Sequence, residues 1–346
     1  MTEHRVPKRL YVIIGCDVDP DRESFVGKIS ANTLTWRGML EGIPRGKDRL
    51  SQLLDSDGKP PVFSWALRVD HQVAKLAGSY QAILETHKSF LLGLQQSGDE
   101  LCWHPHFWRY DDRIGQWYQE FWDENFHVSM LREAHAAFRS VFPGLPTTVR
   151  TGWSFHSNLT FAILEELGIQ VEHVCIPGLK VLPKNDTVRS SNFYDWSISP
   201  DHPYYPARTD YRREAQTGEN AFKILVVPTM VSRSFFWGMG SAIQLTRKMK
   251  DPSQLIHPFQ RPTHVINVTG KVNWYAPVLK RAEKLLASQD TLVYNCYLHA
   301  DELIENQHPF YSLENMEINL RRIVDLGKRA DAQVKFIRAC DVKQYV

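Results

Sequence analysis

The chain has 346 residues, of which 43% are hydrophobic and 23% are charged, a composition typical of a globular protein with a sizeable core. Its formal net charge is only +2, which argues against a broad basic surface for nucleic acid or for an anionic membrane. The length accommodates two average domains or one large barrel-type domain.

The cysteines and the first residues indicate the cellular compartment in which the protein is expected. The five cysteines are odd in number and form no CxxC pair, which favours buried free thiols in a reducing compartment over disulfides or a metal cluster. The first residues, MTEHRVPKRL, lack the apolar stretch of a secretory signal. No run approaches the ~20 apolar residues of a membrane span. We therefore expect a cytoplasmic protein without a transmembrane segment.

Apolar runs with a strand-like pattern recur along the chain, and helical patterns separate many of them. The predicted strands are 10–16, 62–69, 100–104, 147–151, 171–176, 222–228, 264–269, 291–298 and 334–339. The predicted helices are 72–97, 128–141, 157–167, 276–288 and 312–331. This alternation indicates an α/β protein with a mostly parallel sheet, and the number of units favours a closed β/α barrel.

Two further segments complete the predicted organisation. Residues 183–220 are polar and hold several aromatic side chains, which predicts a long excursion over the barrel mouth. The helix and strand within residues 301–346 are expected to complete the barrel. We therefore interpret residues 1–346 as a single domain.

Polar side chains of catalytic type lie at the ends of four predicted strands. The carboxyl ends of the strands build the active site in a β/α barrel, so we expect these side chains at one rim. They are Asp17, Asp19, His104, His106, Arg150 and His299. Each has a structural alternative, since Asp often caps a turn and His or Arg often forms a simple hydrogen bond or ion pair. Their common location favours a functional site.

The residue types suit a divalent metal ion. Residues i and i+2 of an extended chain point the same way, so Asp17 and Asp19 face one centre, as do His104 and His106. One carboxylate with two imidazoles forms an open metal site, where the metal lowers the pKa of bound water and polarises a carbonyl. The second carboxylate can accept a proton from that water, and His299 can protonate a leaving group. The pattern predicts hydrolysis of an amide or an ester.

Five segments together resemble the motifs of the polysaccharide deacetylases, also called the NodB-homology or carbohydrate esterase family-four superfamily. In chain order they are CDVDPD, GDELCWHPHFW, VRTGWSFHS, NFYDWS and CYLHADEL, within about residues 10–300. The resemblance implies a distorted (β/α)7, TIM-like barrel rather than a regular eightfold one. Two features depart from the family pattern: the histidines of the second motif are two residues apart rather than four, and no proline follows Arg150.

The resemblance also implies a role for each matching residue. The implied catalytic residues are Asp17 as general base, His299 as general acid, Arg150 as the residue that orients Asp17, and Asp195 of the fourth motif. The implied metal ligands are Asp19, His104 and His106. Trp196 and Leu298 match substrate-binding positions of the fourth and fifth motifs. Trp153 and Trp237 are, with Trp196, predicted sugar platforms, and core packing is the alternative for each of them.

The leading hypothesis is a metal-dependent hydrolase of C–N bonds other than peptide bonds. It would remove an acetyl or formyl group from an amino sugar in a surface polysaccharide or a glycan precursor. The expected cofactor is zinc, with cobalt, nickel and manganese as alternatives, and no nucleic-acid partner is expected. The segment WRGMLEGIPRGKDRL after the first motif is similar to relatives that act on nucleotide- or lipid-linked amino sugars, including deformylases.

Two alternatives stay open at this point. The first is a metal-independent amidohydrolase of a small cyclic amide or ureide on the same fold, which the short spacing of the two histidines allows. The second is a carbohydrate-binding protein without catalysis. The joint presence of Asp17, Asp19 and His299 argues against the second, because a binding protein needs neither a general acid nor a general base. His71, beside Asp70, is a further candidate for the rim.

Overall fold

The computed structural model describes residues 7–21, 34–113, 115–181, 193–233 and 263–346. Within them an eight-stranded sheet has only parallel pairings between its strands. Its strands are β1 Lys8–Val18, β2 Ser64–Leu67, β3 Glu100–Trp103, β4 Thr148–Val149, β5 Val171–Glu172, β6 Leu225–Val226, β7 Thr291–His299 and β8 Ala332–Phe336.

Seven of these strands follow one another around a barrel. Their spatial order is β6-β5-β4-β3-β2-β1-β7, and β8 pairs with β1 outside this path. Strand β1 is long enough to pair with two strands along one edge, β8 through residues 8–12 and β2 through residues 15–18. The two ends of the path meet where Thr229, just beyond β6, forms a parallel bridge to Asn295 of β7. The prediction of a distorted (β/α)7 barrel is confirmed.

Helices follow or flank the barrel strands. They are α1 Ile43–Leu50, α2 His71–Ala77, α3 Ala82–Thr86, α4 Lys88–Gln96, α5 Glu124–Val141, α6 Asn158–Glu166, α7 Val272–Ser288 and α8 Leu313–Arg329. A π-helical turn, Gly38–Gly42, runs directly into α1, and 3-10 turns span Gly152–Ser154, Ala300–Leu303 and Ala339–Gln344. Among the described residues, no helix combines the length and the apolarity that crossing a bilayer requires.

Short antiparallel ribbons lie outside the barrel sheet. They pair Trp108–Asp111 with Gln116–Gln119, Lys180–Val181 with Tyr194–Asp195, Pro206–Ala207 with Asp210–Glu214, and Ser232–Arg233 with Thr263–His264. The ribbon formed by Pro206–Ala207 and Asp210–Glu214 lies within the polar segment 183–220, and Tyr194–Asp195 of another ribbon lies there too.

Two predicted elements differ from the structure. The single helix expected over 72–97 is three helices, because Gly78 ends α2 in a left-handed conformation with φ 91° and a second break separates α3 from α4 at His87. The strand expected over 264–269 is only Thr263–His264, and it lies outside the barrel sheet. The residues beyond it form a loop whose polar side chains reach the end of β7.

Alternation along β1 separates two apolar layers. Leu10, Val12 and Ile14 pack against the helices, in the larger cluster of buried side chains. Tyr11 and Ile13 point the other way, into a second cluster within the barrel. The inward column continues through residues 15 and 17, so the rim carboxylate of Asp17 belongs to the barrel interior.

The cysteines agree with the prediction of free thiols. All five lie in described segments and none forms a disulfide, and four of them are buried. Cys16, Cys175 and Cys296 pack inside the larger apolar cluster.

Candidate metal and catalytic site

The site is centred on two neighbouring strands whose register places a carboxylate and an imidazole side by side. Asp17 of β1 is paired in register with His299 of β7. Both point into the barrel, and His299 Nε2 lies 3.8 Å from Asp17 Oδ2. A cavity of about 580 Å³ opens at this point, and both side chains line it.

Adjacent strands supply further cavity-lining groups at the residue directly after each strand ends. Arg68 follows β2, His104 follows β3 and Arg150 follows β4, and all three line the cavity. Asp19 and His106 line it as well. The structure therefore brings together all six strand-end residues that the sequence singled out, and adds Arg68.

Arg150 fixes the carboxylate of Asp17. Its Nε donates to Asp17 Oδ1, while its Nη1 donates to the carbonyl of His173 at 2.7 Å. Burial alone would raise the pKa of Asp17, but the charges of Arg150, His104 and His299 outweigh it and hold the pKa below its ordinary value. Asp17 is therefore a buried, ionised carboxylate that is held in one orientation.

Asp19, His104 and His106 present three ligand atoms to one point. The Nε2 atoms of the two histidines are 2.9 Å apart. Asp19 Oδ1 lies 3.5 Å from His106 Nε2, and Asp19 Oδ2 lies 3.7 Å from His104 Nε2. Ligand atoms at zinc bond lengths around a tetrahedron are separated by about 3.3 Å. The donor set and its spacing thus fit a divalent ion.

The two histidines differ in how their outer nitrogens are held. His104 Nδ1 donates to the carbonyl of Arg150, which leaves the lone pair of its Nε2 for a metal. Trp108 Nε1 donates to His106 Nδ1 at 3.0 Å, and because the indole is only a donor, Nε2 of a neutral His106 carries the proton. Burial, followed by the charge of Arg68, lowers the pKa of His106 to about 4. His106 is therefore the ligand whose proton must move when a metal binds.

Arg68 and Asp70 support the ligands, and the sequence analysis missed the role of this pair. Arg68 bridges Asp19 at 3.1 Å and Asp70 at 2.8 Å. Asp70 also accepts from the backbone N–H of His106 and caps α2 through Val73. Burial opposes the shift, but His104 and Arg68 hold the pKa of Asp19 well below its ordinary value. The available signal was the presence of a charged residue inside the otherwise apolar strand predicted over 62–69.

Three predicted site residues lie outside the cavity. Asp195 belongs to a short ribbon, where it pairs with Lys180 and Arg212 at 3.0 and 2.6 Å. Trp196 is fully buried, so it offers no face to a sugar, and its Nε1 donates to the carbonyl of Ser154. Leu298 is fully buried on the outer face of β7, because neighbouring residues of a strand point to opposite sides.

Among the described residues, the tryptophans that line the cavity are Trp153 and Trp108. Trp153 is 44% exposed and lines the cavity, and its backbone is left-handed with φ 54°, a strained conformation for a bulky residue. Trp108 meets it edge to face, with ring centroids 6.3 Å apart. Trp237 lies outside the described residues. His71 packs edge-on against Trp117 and Phe126 instead of lining the cavity.

Glu302 is a further buried group that the sequence analysis did not single out. It lies three residues after His299, and its Oε1 is 3.3 Å from His299 Nδ1. Asn267 and Thr269 both donate to its carboxylate. The segment that carries Asn267 and Thr269 had the pattern of a strand, so their approach to Glu302 was hidden.

Comparison with known proteins supports the fold. No protein-family model and no curated protein matches the chain. A candidate glycoside hydrolase/deacetylase from Parabacteroides distasonis is similar in structure with a TM-score of 0.54 and 13% identity, over 98% of this chain and 71% of that chain. This likeness agrees with the barrel that the resemblance to polysaccharide deacetylases implies.

Two other solved structures share less of the geometry. A candidate polysaccharide deacetylase from Mycobacterium smegmatis has a TM-score of 0.49 and 14% identity, over 100% of this chain and 92% of that chain. The α-amylase AmyC from Thermotoga maritima has a TM-score of 0.43 and 10% identity, over 99% and 75%. Identities this low leave the reaction to be argued from the site itself.

Proposed function

We propose that the protein is a metal-dependent hydrolase that removes an acetyl or formyl group from an amino sugar. One observation carries the proposal: three potential metal-ligand atoms of Asp19, His104 and His106 lie beside a carboxylate that Arg150 holds, with His299 facing that carboxylate from the next strand. A metal-dependent hydrolase of amides needs these parts, namely a metal site, a base and an acid, at one place.

The residues divide the reaction between them. When bound at Asp19, His104 and His106, a divalent ion lowers the pKa of a water molecule and polarises the amide carbonyl. Asp17, ionised and held by Arg150, accepts the proton of the attacking water. The water oxygen adds to the carbonyl carbon, and the C–N bond of the tetrahedral species then breaks as His299, beside Asp17 on the next strand, gives a proton to the departing nitrogen. The products are a carboxylic acid and a free amino sugar.

The cavity supports a sugar as the substrate. Its volume of about 580 Å³ lies within the range of small-molecule sites, and the exposed ring of Trp153 stands at its wall. An aromatic face stacks well on the apolar face of a pyranose ring. We propose that the amino sugar belongs to a surface polysaccharide or to a glycan precursor and that the metal is zinc. We also propose that the protein is cytoplasmic, which the free cysteines favour.

A second candidate function is a metal-independent amidohydrolase of a small cyclic amide or ureide. The observation that favours it is the contact of Trp108 with His106, because this contact places a proton on the nitrogen that would bind the metal. In this case Asp17 and His299 would keep their roles as base and acid.

The test is acyl release by the full chain with and without metal. The protein is stripped with a chelator, reloaded with zinc and incubated with N-acetyl and N-formyl amino sugars, and released acetate or formate is measured. We expect release by the zinc-loaded protein and little by the stripped protein. Hydrolysis of a cyclic ureide by the stripped protein would favour the second candidate, and absence of any acyl release from the zinc-loaded protein would contradict the proposal.

A further inference from the structure

We infer that Glu302 is the positioning residue of the proposed general acid, and that the glycine-lined helical segment 38–46 holds it in place. This inference rests on the proposed function for the role of His299. It assigns a task to a buried carboxylate and to an unexplained sequence segment, both of which lie outside the metal site. Glu302 orients the His299 ring through Nδ1, so that Nε2 points at Asp17 and the cavity.

The contacts of the His299 ring define its orientation. Nδ1 lies 3.3 Å from Glu302 Oε1, and Nε2 lies 3.8 Å from Asp17 Oδ2. Nδ1 accepts from Asn267 Nδ2 at 3.1 Å and from the backbone N–H of Glu302, so Nε2 of the neutral ring carries the proton and directs it at the cavity. When the ring is protonated, the nearby Glu302 carboxylate stabilises its positive charge. Titratable groups near the ring in the described segments include Glu302, Asp17 on β1 and Tyr297 on the same strand.

The carboxylate of Glu302 is itself fixed from several sides. The residue is fully buried. One oxygen accepts from Asn267 Nδ2, and the other accepts from Thr269 Oγ1 and from the backbone N–H of His299 at 3.2 Å. Its partners come from two different segments of the chain. A buried carboxylate with this many donors keeps its negative charge and its position, which is what orienting a cationic imidazole requires.

The helical segment WRGMLEGIPRGKDRL packs against the turn Ala300–Leu303, which carries Glu302. Gly38, Gly42 and Gly46 recur every four residues and lie on one face of the helical segment. A Cβ on Gly38 would lie 2.5 Å from the backbone nitrogen of Asp301, and one on Gly42 would lie 2.8 Å from the carbonyl oxygen of Ala300. The glycines thus let the helix backbone approach the turn that carries Glu302. The segment therefore supports the turn that follows His299, the proposed general acid.

Three variants distinguish a positioning role of Glu302 from a packing role. Glu302→Gln keeps the size and removes the charge, Glu302→Asp keeps the charge and shortens the side chain, and Glu305→Gln is the matched control on an exposed neighbour. We expect Glu302→Gln to lower kcat about 100-fold or more with little change in KM. The limb of the pH–rate profile that reports the pKa of the general acid should move to lower pH. Glu302→Asp should keep that limb near the wild-type position. A packing role alone would make Gln the milder change and leave the limb unmoved.

A measurement that does not depend on catalytic turnover tests this inference independently of the proposed function. The titration midpoint of His299 is measured by NMR in the zinc-loaded protein, with His299→Gln used for assignment. We expect Glu302→Gln to lower the midpoint by about one pH unit or more, because a neighbouring anion favours the imidazolium, and Glu305→Gln to leave it unchanged. A midpoint that is the same in Glu302→Gln and in the wild type would overturn the inference, whether or not the wild type releases an acyl group.

Discussion

At the scale of single residues, the two aspartates of the first motif differ in their partners. Asp17 is held by Arg150 from the end of β4, whereas Asp19 is held by Arg68 from the end of β2 and faces the two histidines. Each carboxylate thus has its own guanidinium, and both have a pKa below the ordinary value. Neighbouring carboxylates that both stay ionised can serve two different roles, one as base and one as ligand.

The first prediction concerns Trp108 and the proposed metal ligand that it contacts, His106. Its indole N–H stabilises the His106 tautomer with a proton on Nε2, so Trp108→Phe should make the metal-binding tautomer easier to form. Loss of one neutral hydrogen bond corresponds to at most about a tenfold change. We expect zinc affinity, measured by competition with a chelator, to rise several-fold.

Trp153→Phe is the control for this measurement. Trp153 lies at the same cavity wall, and its ring has an edge-to-face contact with Trp108, so its replacement should leave zinc affinity near the wild-type value. Zinc affinity that falls in Trp108→Phe would show that the indole supports the metal-bound state instead of opposing it.

At the scale of elements, the loop after β4 makes room for a ligand from the loop after β3. The backbone N–H of Gly152 donates to the carbonyl of Pro105 at 2.8 Å, and the two loops thereby lie side by side. A Cβ on Gly152 would come within 2.1 Å of the His106 ring. The absence of a side chain at this position is what allows His106 to turn its Nε2 toward His104 and Asp19.

The second prediction follows from this close approach. Gly152→Ala should displace the His106 ring and weaken zinc binding by about 10- to 100-fold, as measured by calorimetry. Gly93→Ala is the matched control, because a Cβ there meets no atom within 4 Å and alanine favours the helix α4. Wild-type zinc affinity in Gly152→Ala would contradict the placement of His106 as a ligand.

At the scale of the whole molecule, the barrel gathers residues that are far apart in the chain. The strand ends were predictable, because apolar alternation marks the strands and the carboxyl ends of parallel strands meet at one rim. Hence Asp17, His104, Arg150 and His299 could be placed together from the sequence alone.

Other features depended on tertiary geometry. Glu302 lies in a turn beyond β7, and only the fold of the loop 265–271 brings Asn267 to it. Asp195 matches a motif in its local sequence, but it belongs to a ribbon outside the barrel. Leu298 is adjacent to His299 in sequence and faces the opposite side of the strand. Short local patterns identify strand ends well, and they do not identify which loops return to the rim.

The division of roles between Asp17 and Asp19 is the central claim, and one measurement tests it directly. Turnover and bound zinc are measured on the same samples of Asp17→Asn and Asp19→Asn. We predict that Asp17→Asn keeps wild-type zinc content and loses about 10²- to 10⁴-fold in kcat, whereas Asp19→Asn loses the zinc. Near-wild-type turnover in Asp17→Asn, or full zinc content in Asp19→Asn, would contradict the account.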